Sequence, residues 1–202
     1  MFIQVIQGMC SDEATMRGHM DRWRRDLSPG AEGWLGGTYG FADDGTFVGV
    51  VRFASEEEAR RNSERPEQGR WWADVASSLD GEARFADYDD VILLGPGGSD
   101  DAGFVQVMQG RVADVERERT MTRDFAQQPM MDFRPDILGG VAGFGDDGTF
   151  VQAIYFTTEA EAREGEKKAM PPDMQEMMEQ SQANTTEIAF IDLSSPVFAS
   201  AT

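Results

Sequence analysis

The sequence has very few of the residues that build disulfides, metal centres and redox sites. Its 202 residues include a single cysteine, Cys10, and a single histidine, His19. One cysteine cannot form an internal disulfide, and it cannot supply a centre made of several cysteine ligands. We therefore expect no metal site, and the scarcity of cysteine favours a cytoplasmic protein.

Positive charge is also scarce. There are 18 Lys and Arg residues against 37 Asp and Glu residues, which gives a formal net charge of −19 at pH 7. Nucleic acids and anionic membranes attract basic surfaces, so this acidic composition predicts neither partner. Only Lys167 and Lys168 are lysines, a bias that we interpret as typical of a GC-rich bacterial genome.

Long apolar segments are missing as well. No run approaches the roughly 18 to 20 apolar residues that a membrane helix needs, so we expect no membrane span. Residues 1–6 begin an alternating pattern and carry no basic cluster. That combination predicts a strand rather than a signal peptide.

What the sequence does contain is an internal repeat. The segment Phe2–Gly8 recurs 102 residues later as Phe104–Gly110, and Gly40–Val48 recurs 103 residues later as Gly143–Val151. A third block, which begins at Ser55, recurs with the second spacing. Three blocks in one order indicate a duplication.

The repeat sets the predicted domain boundaries. We predict a first repeat at 1–95, a linker at 96–103, a second repeat at 104–194 and a C-terminal tail at 195–202. The linker prediction rests on the glycine-rich, polar run that joins the two copies, since such runs behave as flexible connections.

Each repeat has the same predicted order of elements, βαββαβ, which is typical of a ferredoxin-like fold. Alternating apolar residues predict the strands, and apolar residues at helical spacing predict the helices. Asp-Asp-Gly between two β-rich runs predicts a hairpin, and Ser-x-x-Glu predicts a capped helix start. In the first repeat the predicted elements are strand 2–7, helix 12–27, strands 34–42 and 46–53, a helix over 55–79 interrupted at Pro66, and strand 85–94.

The third strand of each repeat is apolar on both of its faces. Val48, Val50, Val51 and Phe53 give this pattern in the first copy. A sheet with helices on one side leaves its other face uncovered, and an apolar face must be buried against something. Two such sheets packed face to face would cover each other, so we predict that the repeats pair within one chain.

This element order, the first-strand pattern and the central hairpin resemble the dimeric α/β-barrel superfamily, in particular the antibiotic-biosynthesis-monooxygenase-like domains, here in tandem. The resemblance covers about residues 2–94 and 104–193. It implies an α+β fold of tandem ferredoxin-like (βαββαβ) repeats that pair as an intramolecular dimeric α/β barrel. It also implies a small internal cavity. Some members oxidise aromatic polyketides without a cofactor, others bind or degrade haem, and many have no assigned activity.

The repeated glutamines are the first candidate ligand-binding residues. Gln4 and Gln106 each stand mid-strand between apolar residues, and a buried amide without a partner costs about 1–3 kcal/mol. In one interpretation they line a pocket and orient a ligand. In the other, which we favour, they bond a neighbouring strand or helix end.

The second candidates are aromatic and titratable. Trp71 and Trp72 belong to the densest aromatic cluster, and large rings can wall an apolar site. His19 lies beside the apolar stripe of the first helix, where a lone histidine is more often structural than catalytic. Packing in the core is the alternative that we favour for the tryptophans. In the second repeat, methionines replace this stretch: Met170, Met174, Met177 and Met178.

Haem is disfavoured as a cofactor. The resemblance implies that haem-degrading members use a histidine on the second helix and an asparagine on the first strand. This chain has Gln4 on that strand and no histidine on either second helix. Asn62 and His19 leave the question open, and we expect no cofactor.

The expected function is therefore the binding of a small apolar or aromatic molecule in a barrel cavity, with cofactor-independent monooxygenation as one activity. The alternative is a non-enzymatic module that sequesters a ligand or binds another protein. No clear general base is visible in the sequence. Which repeat holds the working pocket stays open, as does further homodimerisation of the whole chain.

Overall fold

The structure is a computed structural model, and it describes residues 1–128 and 130–200. Its residues form two compact units. The helices described are α1 Glu13–Arg22, α2 Glu56–Ser63, α3 Pro66–Ser77, α4 Val115–Ala126, α5 Met130–Phe133, α6 Glu159–Glu166 and α7 Pro172–Asn184. The strands are β1 Phe2–Met9, β2 Trp34–Phe41, β3 Thr46–Phe53, β4 Arg84–Tyr88, β5 Asp90–Leu94, β6 Phe104–Val112, β7 Ile137–Phe144, β8 Thr149–Phe156, β9 Thr185–Leu193 and β10 Val197–Ser200.

Each unit is built on one antiparallel sheet of five strands. The first sheet has the order β10-β2-β3-β1-β4, and the second has the order β5-β7-β8-β6-β9. In both, the central strand pair joins the first and third strands of a repeat, with Val5 opposite Val50 and Val107 opposite Ala153. This is the predicted ferredoxin-like order, so the α+β fold with duplicated repeats is confirmed.

The local signals in the sequence act as predicted. The Ser55 hydroxyl accepts the backbone amide of Glu58 at 3.3 Å, and the Thr158 hydroxyl accepts that of Glu161 at 3.2 Å. Each bond satisfies one of the amides that a helix start leaves without a partner. At the hairpin, Gly45 has φ +85°, a conformation that glycine adopts without steric cost.

The two long helices of the first repeat also follow the prediction. The predicted helix 12–27 consists of α1 followed by a π-helical turn, Trp23–Leu27. The predicted interruption at Pro66 is a restart, because α2 ends at Ser63 and α3 begins at the proline. Proline lacks the amide that a helix interior needs, but it fits the first helical position.

The predicted last strand, 85–94, differs from the structure. It is two strands, β4 and β5, separated at Asp89. Strand β4 pairs with β1 in the first sheet, and β5 pairs with β7 in the second, with Ile92 opposite Ala142. The acidic pair Asp89–Asp90 interrupts the apolar pattern at this point, but nothing local shows that the two halves join different sheets.

The predicted C-terminal tail also contains a strand. Residues 197–200 form β10, which pairs with β2 of the first sheet, with Ala199 opposite Gly37. The compact units divide at Asp89/Asp90 and at Ser195/Pro196, and the repeat boundaries at 95 and 194 stay predictions. Residues 201–202 of the predicted tail lie outside the described residues.

No helix in the described ranges has the length and apolarity needed to cross a membrane. The predicted face-to-face pairing of the two repeats stays a prediction.

Removing β10 is expected to weaken the first unit. A protein shortened to end at Ser195 loses the hydrogen bonds to β2 and the burial of Ala199, which is 5% exposed. We expect its free energy of unfolding to fall by about 1–3 kcal/mol. Urea unfolding followed by tryptophan emission reports on the unfolding of this unit, because Trp23, Trp34, Trp71 and Trp72 all belong to it. A protein ending at Ser200 is the control, and equal midpoints for the two would contradict the role given to β10.

Candidate functional site

The second unit has a cavity of about 950 Å³ between its sheet and its helices, and this cavity is partly open to solvent. This volume is within the range of small-molecule sites, which are mostly apolar with a few placed polar groups. The walls fit that description, since strands β6 to β8 and helices α4 and α7 all contribute to them. The main apolar wall residues are Met108, Phe125, Phe144, Phe150, Ile154 and Phe156.

At two sheet positions along the cavity the second repeat has much smaller side chains than the first. Ile137 stands where the first repeat has Trp34, and Ala142 stands where it has Tyr39. In the first unit both large residues are buried, at 7% exposed each. Burial also raises the pKa of the Tyr39 hydroxyl, which keeps that residue a neutral part of the core.

The helices show the same exchange. On α4, Glu118 and Thr122 replace Met16 and Met20 of α1. Both methionines belong to the packed core of the first unit, whereas Glu118 and Thr122 line the cavity. An ordinary core position has therefore become a polar position that faces open space.

The third change is on the last helix of each repeat. Counted from the prolines that open α3 and α7, Met178 replaces Trp72 and Ser181 replaces Val75. Val75 is fully buried, but Ser181 lines the cavity. Methionine is flexible and adapts its shape to what it packs against, so this wall suits a ligand.

Glu118 is the most unusual group in the cavity. It is 7% exposed, and its Oε1 accepts the Ser181 hydroxyl at 2.5 Å while its Oε2 accepts Asn184 Nδ2 at 2.9 Å. Sequence reasoning missed this residue and found no base. The signal was present in the repeat, because Glu118 occupies the position of Met16, a buried apolar residue of α1.

Gln106 lies in the wall of the cavity and is half-buried. Its Nε2 donates to Asp192 Oδ1 on the neighbouring strand at 2.9 Å, and Arg163 donates to the other oxygen of Asp192. Gln4 makes the same bond in the first unit, to Asp87 Oδ1 at 3.0 Å. The glutamines thus bond a neighbouring strand, and Gln106 combines this with a place at the cavity.

A buried ion pair lies at the same cavity. Arg134 lines it and binds Asp136 through Nε at 2.9 Å and Nη2 at 2.7 Å. Burial acts to raise the pKa of Asp136, but the hydrogen bonds and positive charge of Arg134 lower it overall. Arg134 also lies over the Phe156 ring, with Cζ 5.9 Å from its centroid, so the pair braces an apolar wall.

The other predicted site residues lie in the first unit, apart from this cavity. The Trp71 Nε1 donates to the backbone carbonyl of His19 at 2.9 Å, and His19 Nε2 lies 3.0 Å from Ser78 Oγ. Trp72 packs on Phe85, with ring centroids 5.0 Å apart. The structure therefore brings the two tryptophans and His19 together. Their assignment as ligand-binding residues stays a prediction.

A metal site and the thiol of Cys10 are two further candidate centres of chemistry. In the part of the chain that the structure describes, no group of three or more His, Cys, Asp or Glu side chains could hold a metal ion. Cys10 is buried and its Sγ donates to the Ser78 carbonyl at 3.4 Å. Burial raises the pKa of its thiol, which makes it a poor nucleophile.

Solved structures resemble the whole chain. A protein of Lactobacillus acidophilus provisionally described as a monooxygenase matches 98% of this chain and 95% of its own, with a TM-score of 0.77 and 14% identity. A counterpart from Fusobacterium nucleatum subsp. nucleatum, described in the same way, matches 98% of this chain and 94% of its own, with a TM-score of 0.77 and 10% identity. An anthrone oxidase-like protein matches 99% of this chain and 93% of its own, with a TM-score of 0.66 and 10% identity.

No protein-family model matches the sequence, and no curated protein matches it either. At 10–14% identity the likeness to these structures concerns the fold, because one fold hosts many functions. The chain shares with these structures the tandem ferredoxin-like fold that its repeat and element order predicted.

Restoring the large side chains of the first repeat should close the cavity. In the double variant Ile137→Trp, Ala142→Tyr we expect an apolar naphthalene dye to bind about tenfold more weakly or worse, because the added rings occupy the ligand volume. Dye fluorescence titration measures this. Leu138→Trp is the control, since Leu138 adjoins Ile137 but does not line the cavity. Unchanged binding in the double variant would contradict the cavity as the dye site.

The Arg134–Asp136 pair predicts a pH dependence of stability. Because the pKa of Asp136 is lowered in the folded protein, its contribution is present above the unfolded value of about 4 and is lost as pH falls below it. We expect Asp136→Asn to reduce the free energy of unfolding at pH 7 by about 3–5 kcal/mol, since Arg134 stays buried without its partner. Denaturation followed by circular dichroism from pH 7 to pH 2 measures the free energy of unfolding at each pH. In this variant that free energy should fall less steeply towards low pH than in the parent. The exposed carboxylate variant Asp132→Asn should match the parent, and an equal effect of both would refute this.

Proposed function

We propose that the second unit binds a small apolar or aromatic molecule and that the protein acts on it as a cofactor-independent monooxygenase. The observation that carries this proposal is the cavity of about 950 Å³, whose walls combine apolar side chains with polar and charged ones. A site of this kind buries most of a drug-sized ligand. Several of its lining residues stand at positions where the first repeat has tryptophan, tyrosine or methionine.

The reaction class is supported by the fold and by the character of the walls. Three whole-chain structural relatives are described as monooxygenases or as anthrone oxidase-like. In such a reaction an activated carbon of the substrate is oxidised by O₂, one oxygen atom entering the product and the other leaving as water. The protein needs only to exclude bulk water, orient the substrate and accept a proton.

Gln106 is the polar wall residue to which this proposal gives a role in binding. Gln106 is held by Asp192, and this bond fixes its amide at the cavity. We assign it the orientation of a substrate carbonyl or hydroxyl. The first repeat, with Gln4, His19, Trp71 and Trp72, serves as a packed scaffold in this proposal.

The proposal extends to the compartment, the assembly and the partners of the protein. The two repeats act as two domains of one cytoplasmic protein and pair within the chain. A further homodimer of the whole chain is compatible with this. Small hydrophobic molecules are the proposed partners, and neither nucleic acid nor membrane is one.

Oxygen uptake with an anthrone as substrate tests the proposal. We expect uptake that depends on the protein, and a kcat/KM that falls about tenfold or more in Gln106→Ala, because an oriented hydrogen bond is lost. Gln4→Ala is the matched control, since Gln4 makes the equivalent strand bond in the first unit. Substrate fluorescence measures binding in parallel.

The outcomes separate the two functions that the sequence left open. Uptake that falls in Gln106→Ala but not in Gln4→Ala supports the monooxygenase. Binding without uptake, for anthrones and related ketones alike, would favour a ligand-sequestering module instead. No binding to the parent protein would refute the proposed site.

A further inference from the structure

We infer that Glu118 is the proton acceptor of the cavity. This inference rests on the proposed function, because it assigns the chemical step that must precede reaction with oxygen. It also supplies the base that was not visible in the sequence.

The carboxylate of Glu118 is buried at the cavity wall but has only neutral partners. Ser181 donates to Oε1 and Asn184 donates to Oε2. Among the ion pairs within residues 1–128 and 130–200, none includes Glu118. A carboxylate oxygen can accept more than one hydrogen bond, so each oxygen keeps capacity for a donor on a ligand.

The second feature is that the position of Glu118 is rigidly fixed. Asn184, which is 4% exposed, accepts the Asp114 amide at 2.9 Å and donates to the Asp114 carbonyl at 2.8 Å, in addition to its bond to Glu118. It therefore joins the end of α7 to the start of α4. Asn184 is a positioning residue, and it fixes the carboxylate relative to the cavity wall.

The third feature is the place of Glu118 in the helix. It lies in the first turn of α4, where the backbone dipoles favour negative charge. Neutral donors and the helix start therefore surround the carboxylate, and neither of its oxygens is taken up by an arginine.

Comparison of the repeats argues against a purely structural role. The equivalent position in the first repeat is Met16, which is fully buried in a packed core. Burying a carboxylate costs stability, and an apolar residue of similar size fits such a position at less cost. The carboxylate is found in the repeat that has the cavity, and it lines that cavity.

The step itself is a proton transfer. A C–H bond next to the substrate carbonyl, or a phenolic O–H bond, breaks, and its proton passes to an oxygen of Glu118. The electron pair stays on the substrate as an enolate or phenolate, and Glu118 becomes a carboxylic acid. No oxidant takes part in this step, so it can be observed without oxygen.

Hydrogen–deuterium exchange of 2-tetralone under argon tests the inference. This apolar bicyclic ketone has a methylene group between its ring and its carbonyl, and exchange in D₂O is read by NMR. We expect the parent protein to accelerate exchange about tenfold or more over buffer, as a positioned general base does. The rate should rise with pH as one group ionises and then level off.

Glu118→Gln is the decisive variant. A glutamine can keep both hydrogen bonds, since it can accept from Asn184 and donate to the Ser181 oxygen, but it is not a base. We expect exchange at the buffer rate and loss of the pH dependence, with 2-tetralone affinity within about threefold of the parent by saturation-transfer NMR. Glu118→Asp should recover part of the rate. The matched control is Glu116→Gln, an exposed carboxylate of the same helix turn.

The outcomes distinguish the inference from the function on which it rests. Binding by the parent protein with exchange that is equal in Glu118→Gln, or no faster than in buffer, would overturn Glu118 as the base and leave the cavity as a binding site. No binding by the parent would overturn the proposed function together with this inference. Should Glu118→Gln fail to fold, Ser181→Ala replaces it. Loss of that hydroxyl donor should move the midpoint of the pH profile upward, and an unmoved midpoint would overturn the inference.

Discussion

The filling of the space between sheet and helices is the constraint on which each unit depends. An antiparallel sheet with one apolar face must be covered, and the helices of a repeat provide the cover. In the first unit the space is filled by large rings. Trp23 and Trp34, for example, pack edge to face with their ring centroids 4.8 Å apart. In the second unit smaller or polar residues replace several of these, and a cavity of about 950 Å³ results.

The duplication separates stability from function in a physically simple way. Both repeats keep the hairpin, the capped helices and the Gln–Asp bond between neighbouring strands. Those shared features define the backbone, so changes at the core positions can alter the interior without altering the fold. The ion pair of Arg134 and Asp136 and the bonds of Asn184 to α4 then brace a unit that has less packed apolar volume.

Large rings fill the interior of the first unit, where Trp71 is 6% exposed in a packed core. The positions that distinguish the two units are those at which the repeats differ, such as Ala142 against Tyr39 and Glu118 against Met16. The carboxylate opposite Met16 was visible in the aligned repeats, although its partners Ser181 and Asn184 lie more than 60 residues away.

The sequence by itself determined the local elements, because caps, turns and apolar periodicity depend on residues close together in the chain. It also determined the duplication and, through it, the fold class. Only the tertiary structure decided that the strand after Asp89 joins the second sheet and that residues 197–200 return to the first. Strand partners are chosen by long-range pairing, and no local pattern encodes them. The cavity is likewise a tertiary property, since it depends on which side chains from distant elements fail to fill a shared space.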